Sequence, residues 1–346
     1  MMKISNLPMD LMEEILYRVP VKSIGAVRST CKNWNVLCKD ERFAKKHIDK
    51  AAREKLVLAI TGNTKNHMIS IKFYDFHNKN FDISINSIGK LVTQENSDLV
   101  VVRRVFYCNG LLMYLCGHIK RGLFVWNPYW GKTRWVNCPT ERSYEVFSLG
   151  YDKSCGGHKI LRLSSHDNNV IHIDIYDVSS DSWKTHDAAF HNNIIEYTEP
   201  VLSLKGNTYW HVVSGYGFLQ CFDFTRERLG PCLPPPFDMS YGCIGSLYSV
   251  KEDKLGLLLI QQGGFEIDVW VTNMIEPDAV SWSKLFKAET LQLYRGFLFG
   301  SFLIDEENKI VVVFDSYHIC YNTNTNKIDG ESGHFRKVEK IESPRL

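Results

Sequence analysis

The sequence predicts a two-part chain: a small helical head over residues 1–50, then an all-β propeller of six blades over residues 51–346. Two observations predict it. Apolar residues recur at helical spacing through the first ~45 residues and stop doing so after Lys55. From there a unit of ~50 residues, built of short apolar runs and turn residues, repeats six times.

In the head, Leu11, Met12, Ile15, Leu16 and Val19 form one apolar stripe. Pro8 suits a helix start and Pro20 an end. Ser23 is placed to cap a second helix, with Ile24, Val27 and Cys31 on one face and Trp34 and Leu37 continuing the stripe. Asp40 is placed to cap a third helix, from Glu41 to about Arg53. A piece this short cannot bury all its apolar residues internally. The pattern alone leaves two readings open: a helical lid on the body, or a head that docks on a partner.

The residues Leu7-Pro8, Asp10-Leu11, Glu14-Ile15-Leu16, Arg18, Pro20, Lys22-Ser23, Arg28, Cys31-Lys32, Trp34, Leu37 and Phe43 resemble an F-box motif. Val19, Ile24, Gly25-Ala26 and Asp40-Glu41 depart mildly from its usual pattern. The resemblance implies a head that binds a Skp-type adaptor, and through it a cullin. The residues it assigns to that contact are Leu7, Pro8, Leu11, Ile15, Leu16, Pro20, Val21, Ile24, Cys31 and Trp34.

The body repeat is seen by aligning strands that end in an aromatic residue, mostly followed by Asp or Asn. The aromatics are Tyr74, Trp126, Tyr176, Phe222, Trp270 and Tyr321. An apolar strand precedes each, and a second apolar residue comes after: Phe81, Trp135, Trp183, Leu229, Trp282 and Ile328. Units that cannot bury their faces alone must stack, and four-stranded units of this length build propeller blades. Two packed sheets in a sandwich are the alternative. The Asp and Asn residues after the aromatics read as turn formers.

The unit is kelch-like, but paired glycines occur only as Gly156-Gly157 and Gly263-Gly264. FVWNPYWGKTRWV at 124–136, with FSLGY at 147–151 and Lys159-Ile160, resembles the plant-type F-box-associated domain more closely.

Composition narrows the function. The net charge is +2, split as +4 over residues 1–50 and −2 over the rest, so bulk charge drives neither nucleic-acid nor membrane binding. No two of the ten cysteines form a C-x-x-C pair. Asp10, Glu13 and Glu14 interrupt any apolar leader, and no run reaches the ~20 residues of a membrane helix. An intracellular location, cytoplasmic or nuclear, is expected.

The hydrolase, dinucleotide, P-loop and zinc-protease motifs are all missing. Ser154-Cys155-Gly156-Gly157-His158 is the most enzyme-like string, and it reads better as a blade-connecting loop. His166, His172, His186 and His191 lack metal-ligand spacing. Lys120-Arg121, Lys132 and Arg134 are too scattered for a nucleic-acid stripe. No cofactor, metal or catalytic residue is expected.

What remains is protein binding through loops on a rigid scaffold. The loops joining second and third strands are expected near 61–69, 116–122, 164–170, 213–218, 261–266 and 314–318. His118, Lys120, Arg121, His166, Asp167, Tyr216, Gln262 and Phe265 are the candidate target-binding residues. Head and body together imply a substrate-recognition subunit of a Skp–cullin–F-box ubiquitin ligase. The alternatives are an F-box scaffold outside a ligase and a propeller enzyme with a helical cap.

Overall fold

In this computed structural model, the described residues are 7–19, 21–40, 42–43, 46–47, 67–74, 82–90, 102–116, 122–127, 132–138, 144–166, 170–191, 201–212, 217–236, 244–250, 253–260, 266–289, 302–305, 310–313, 321–322, 327–328 and 336–338. The chain divides into two units, one comprising Met1–Cys138 with Asn322–Lys327, the other Pro139–Tyr321 with Ile328–Leu346.

The first unit opens with three helices, α1 (Met9–Tyr17), α2 (Val21–Arg28) and α3 (Lys32–Lys39). Pro8 stands at the N-cap of α1, where its missing N–H costs nothing, and its carbonyl accepts from Met12 N at 3.1 Å. The expected second helix is two. Ser29 Oγ donates to the Ala26 carbonyl (2.6 Å) and Thr30 Oγ1 to that of Val27 (2.7 Å). These hydroxyls satisfy carbonyls at the end of α2 and let the chain stop. Cys31 is then extended (φ −152°) and caps α3. The second helix begins at Val21, so Ser23 lies inside it. Asp40 does cap the next helical turn: its Oδ1 accepts from Phe43 N at 3.0 Å, and residues 42–43 and 46–47 are helical. Met12, Leu16, Ile24, Leu37, Cys38 and Phe43 form the buried core of this head.

The four full sheets of the body are antiparallel. Four sheets are four-stranded meanders: β3 (Val102–Cys108) to β6 (Lys132–Val136), β7 (Tyr144–Asp152) to β10 (Ser182–His191), β11 (Val201–Leu204) to β14 (Arg228–Leu229), and β15 (Ile244–Val250) to β18 (Ala279–Glu289). The repeat aromatics Trp126, Tyr176, Phe222 and Trp270 all lie on the third strand: β5 (Gly122–Asn127), β9 (Val170–Asp177), β13 (Phe218–Asp223) and β17 (Glu266–Glu276). Each second strand is the apolar one that the repeat contains: β4 (Leu111–Cys116), β8 (Gly157–His166), β12 (Asn207–Val212) and β16 (Lys254–Ile260). Tyr176 pairs directly with Trp183, and Phe222 with Leu229.

The outer copies differ. The first contributes a pair, β1 (His67–Tyr74) and β2 (Asp82–Lys90). In the last, β19 (Phe302–Asp305) and β20 (Ile310–Val313) pair on with β23 (Arg336–Val338). The strand carrying Tyr321 is instead β21 (Tyr321–Asn322), paired with β22 (Lys327–Ile328). The sixth copy therefore does not repeat the meander among the described residues.

In the second unit, β7, β11, β15 and β19 neighbour one another in that order, so successive sheets meet along their first strands, as propeller blades do. A core of Leu204, Tyr209, Leu219, Cys221, Leu247, Leu257 and Leu259, among others, fills the space between the third and fourth full sheets.

Candidate functional site

Two surfaces carry the residues singled out from the sequence. The first is the head. Leu16 and Ile24 lie wholly inside its core, and Trp34 and Leu7 pack against that core partly buried. Leu11 and Ile15, one turn apart on α1, face outward, 47% and 42% exposed. Pro8 is exposed and Cys31 half-buried at the start of α3. Pro20 and the side chain of Val21 lie outside the described residues. Large apolar side chains on one side of a helix whose other side is already closed mark a surface that expects a partner. Within the head, Glu14 accepts from Arg18 one turn on (2.6 Å), and Lys46 donates to Glu13 (3.1 Å).

The second surface is built by the meander. In an antiparallel four-strand sheet, the 1–2 and 3–4 turns emerge at one end, and the 2–3 loop with the exit to the next sheet emerges at the other. The first end carries tight turns. Asn109-Gly110 (φ 43°, 81°) and Lys205-Gly206 (φ 50°, 83°) join first to second strands as two-residue hairpins with both residues left-handed. Asp177 Oδ1 accepts from Ser179 and Ser180 N (2.7 and 2.9 Å), and Asp223 Oδ1 from Thr225 and Arg226 N (2.9 and 3.1 Å). These acids, one residue after the repeat aromatics, are thus turn formers.

The turns also bind sheet to sheet. Tyr151 N donates to Gly206 O at 2.8 Å, and a side chain on Gly206 would meet Tyr151 O at 2.8 Å. Lys159 Nζ donates to Asp152 Oδ2 (2.6 Å) within its own sheet and to Glu227 Oε1 (2.8 Å) of the next, while Lys184 reaches Glu227 Oε2 at 3.0 Å. Burial pushes the Glu227 carboxyl up, but the two lysines outweigh it and hold its pKa down to about 2.

Each sheet's opposite end leads into its own 2–3 loop: after Cys116 in the first unit, and after His166, Val212 and Ile260 in the second. Four of the expected 2–3 loops therefore fall between second and third strands. His166 ends β8; its side chain lies outside the described residues, as do His118, Lys120, Arg121, Asp167, Tyr216, Gln262 and Phe265.

The enzyme-like string is not a loop between blades. Residues 153–156 form the β7–β8 hairpin, because Asp152 pairs with Gly157 and turns the chain by accepting from Ser154 N at 2.8 Å. His158 packs edge-on to Tyr151 (5.1 Å between centroids). Burial pushes the Cys108 and Cys116 thiols up to about 12, far from a thiolate. Among the described residues no three His, Cys, Asp or Glu side chains converge to hold a metal, and no helix is long and apolar enough to cross a membrane.

Residues 4–46 match the F-box domain, and residues 57–345 match the F-box associated beta propeller domain. The chain belongs to this family of F-box proteins. An F-box protein of Arabidopsis thaliana is 42% identical, over 98% of this chain and 94% of its own length. An F-box/kelch-repeat protein of the same plant is 38% identical over 99% and 95%. A further Arabidopsis relative, also named for the F-box and the kelch repeat, is 43% identical over 99% and 96%. A solved oligogalacturonate lyase from Vibrio parahaemolyticus covers 83% of this F-box protein and 77% of itself at 7% identity and a TM-score of 0.41, too distant for its activity to bear on this one.

Sequence reasoning missed the ion cluster around Glu227 and the hydrogen bond from His47 Nε2 to the Val19 carbonyl (2.6 Å). Both join residues far apart in sequence (68 and 28 positions), so no local pattern announces them.

Proposed function

We propose that this F-box protein is the non-catalytic, substrate-recognition subunit of a Skp–cullin–F-box ubiquitin ligase. The observation that carries this reading is the open apolar face of α1, with Leu11 and Ile15 exposed on a head whose own core is closed. A groove on a Skp-type adaptor covers that face, with Leu7 and Pro8 at its edge and Pro20, Val21, Cys31 and Trp34 alongside. Leu16 and Ile24 contribute from within by holding the helices in place.

In this reading residues 1–50 form the docking domain, and residues 51–346 form a six-bladed kelch-like propeller that holds a target protein. The target sits on the loop end, against His118, Lys120, Arg121, His166, Asp167, Tyr216, Gln262 and Phe265. The chain supplies proximity and orientation, and the ubiquitin chemistry belongs to its partners. No nucleic acid or membrane takes part, and the complex works inside the cell, in cytoplasm or nucleus.

The test is reconstitution. The full chain is mixed with purified Skp-type adaptor and cullin scaffold, and the elution of all three is monitored by gel filtration. Co-elution that is lost on removing residues 1–50 supports the reading; a folded full chain that elutes alone overturns it. Ubiquitin transfer by the assembled complex separates a ligase subunit from a scaffold acting elsewhere.

A further inference from the structure

The segment after α3 folds back onto α1 and does more there than fill the core. Phe43 is buried with Met12 and Leu16 of α1. Lys46 Nζ reaches Glu13 on the same helix at 3.1 Å. Beside it His47, 2% exposed, lies stacked on Phe43 (centroids 5.7 Å apart, 22° between planes) and edge-on to Tyr17 (6.2 Å, 76°). Its Nε2 stands 2.6 Å from the carbonyl oxygen of Val19. A carbonyl only accepts, so Nε2 carries the hydrogen and donates it.

Val19 is where α1 has ended. Arg18 N turns back to Ile15 O (3.1 Å) and Val19 N to Leu16 O (3.0 Å), which closes the helix. The next residue, Pro20, has no N–H with which to continue the ladder. The junction between α1 and α2 is thus gripped by a rigid aromatic ring reaching across 28 residues. A ring wedged between Tyr17 and Phe43 with its donor on Val19 leaves the end of α1 little room to tilt or rotate.

We propose that His47 is a positioning residue for adaptor docking: it fixes the angle of α1, and so the direction in which Leu11 and Ile15 face, without touching the adaptor itself. This rests on the reading of the α1 face as the docking surface. A preformed face binds without first having to be ordered, so loosening it weakens binding even when the contact residues are intact.

The experiment compares full-length wild type, His47→Ala and His47→Gln. Affinity for a purified Skp-type adaptor is measured well below each unfolding midpoint, and amide hydrogen exchange is measured on the free chains. Gln keeps an N–H donor of similar reach; Ala removes it. The expected result is an affinity about tenfold lower for His47→Ala and within about threefold of wild type for His47→Gln. Exchange should quicken across the end of α1 in His47→Ala, while Leu37 and Cys38 of α3 stay protected.

Wild-type affinity in His47→Ala, or equal losses in both variants, overturns the proposal. If α3 loses protection in His47→Ala, that variant has lost the head fold and His47→Gln alone decides: affinity within about threefold supports the proposal, a larger loss overturns it. If wild type binds no adaptor, the docking reading fails. The exchange data then decide separately whether His47 holds α1, with unchanged α1 exchange in His47→Ala counting against it.

Discussion

Glu227, in the β13–β14 turn with φ near 50°, accepts a hydrogen bond at 2.8 Å from Lys159 of the preceding sheet. Lys159 is almost fully buried and also donates to Asp152, so one ammonium joins two carboxylates from two neighbouring sheets. Removing a buried partner leaves the others with uncompensated charge, which costs more than the pair itself contributes. Lys159→Met should destabilise the body by about 3 kcal/mol. Glu227→Gln, which leaves Lys159 paired with Asp152, should cost about 1 kcal/mol. Chemical denaturation of the two variants checks the order.

The same cluster sets an acid dependence. Burial pushes both Asp152 and Glu227 up, and hydrogen bonds from Lys159 and its neighbours more than reverse this, leaving both carboxyls well below their ordinary range. A carboxyl whose pKa falls on folding stabilises fully above its unfolded value and loses that contribution as pH drops through its folded value. Stability should therefore fall between about pH 5 and about pH 2, and less steeply in Glu227→Gln. Thermal unfolding midpoints across that window give the two slopes.

The turn formers make a sharper distinction than acids in general. Asp223 Oδ1 accepts two backbone N–H groups, and an asparagine oxygen can do the same. Asp223→Asn should be nearly neutral, whereas Asp223→Ala should cost about 1–2 kcal/mol. If the two cost the same, the carboxylate's charge toward Arg226, at 3.7 Å, matters more than the turn.

Gly206 sits at φ 83° with the Tyr151 carbonyl 2.8 Å from where a side chain would begin. Gly206→Ala must meet both an unfavourable backbone conformation and a backbone obstacle in the preceding sheet. A loss of about 2–3 kcal/mol is expected, read from urea unfolding, with far-UV circular dichroism unchanged in the folded state.

Much of the body was legible because its signal repeats. Trp126, Tyr176, Phe222 and Trp270 mark third strands, and the apolar runs before them mark second strands, which are largely buried in each of the four full sheets. That register also located four of the six expected 2–3 loops; those near 61–69 and 314–318 lie largely outside the described residues. The division at Ser29-Thr30 was not legible: Ile24, Val27, Cys31 and Trp34 keep helical spacing, and only two hydroxyls turned onto the carbonyls of Ala26 and Val27 end α2 there.

In the last copy, among the described residues, the second strand does not pair with the strand carrying Tyr321. Ile310–Val313 pairs with Arg336–Val338, and pairing is a long-range choice that strand composition does not encode. On the head, the motif did not tell the inward Leu16 and Ile24 from the outward Leu11 and Ile15. That distinction depends on how α2 and α3 pack, not on α1 alone.

The outward pair offers the most direct test of adaptor docking. The full chain is titrated calorimetrically with a purified Skp-type adaptor, in wild type and in Leu11→Ala/Ile15→Ala, with the unfolding midpoint of each measured alongside. Saturable binding by wild type, weakened at least about tenfold in the double variant with its midpoint unchanged, is the predicted result. Undiminished binding by the double variant, or no binding by a folded wild-type chain, would contradict the claim that the α1 face is the docking surface.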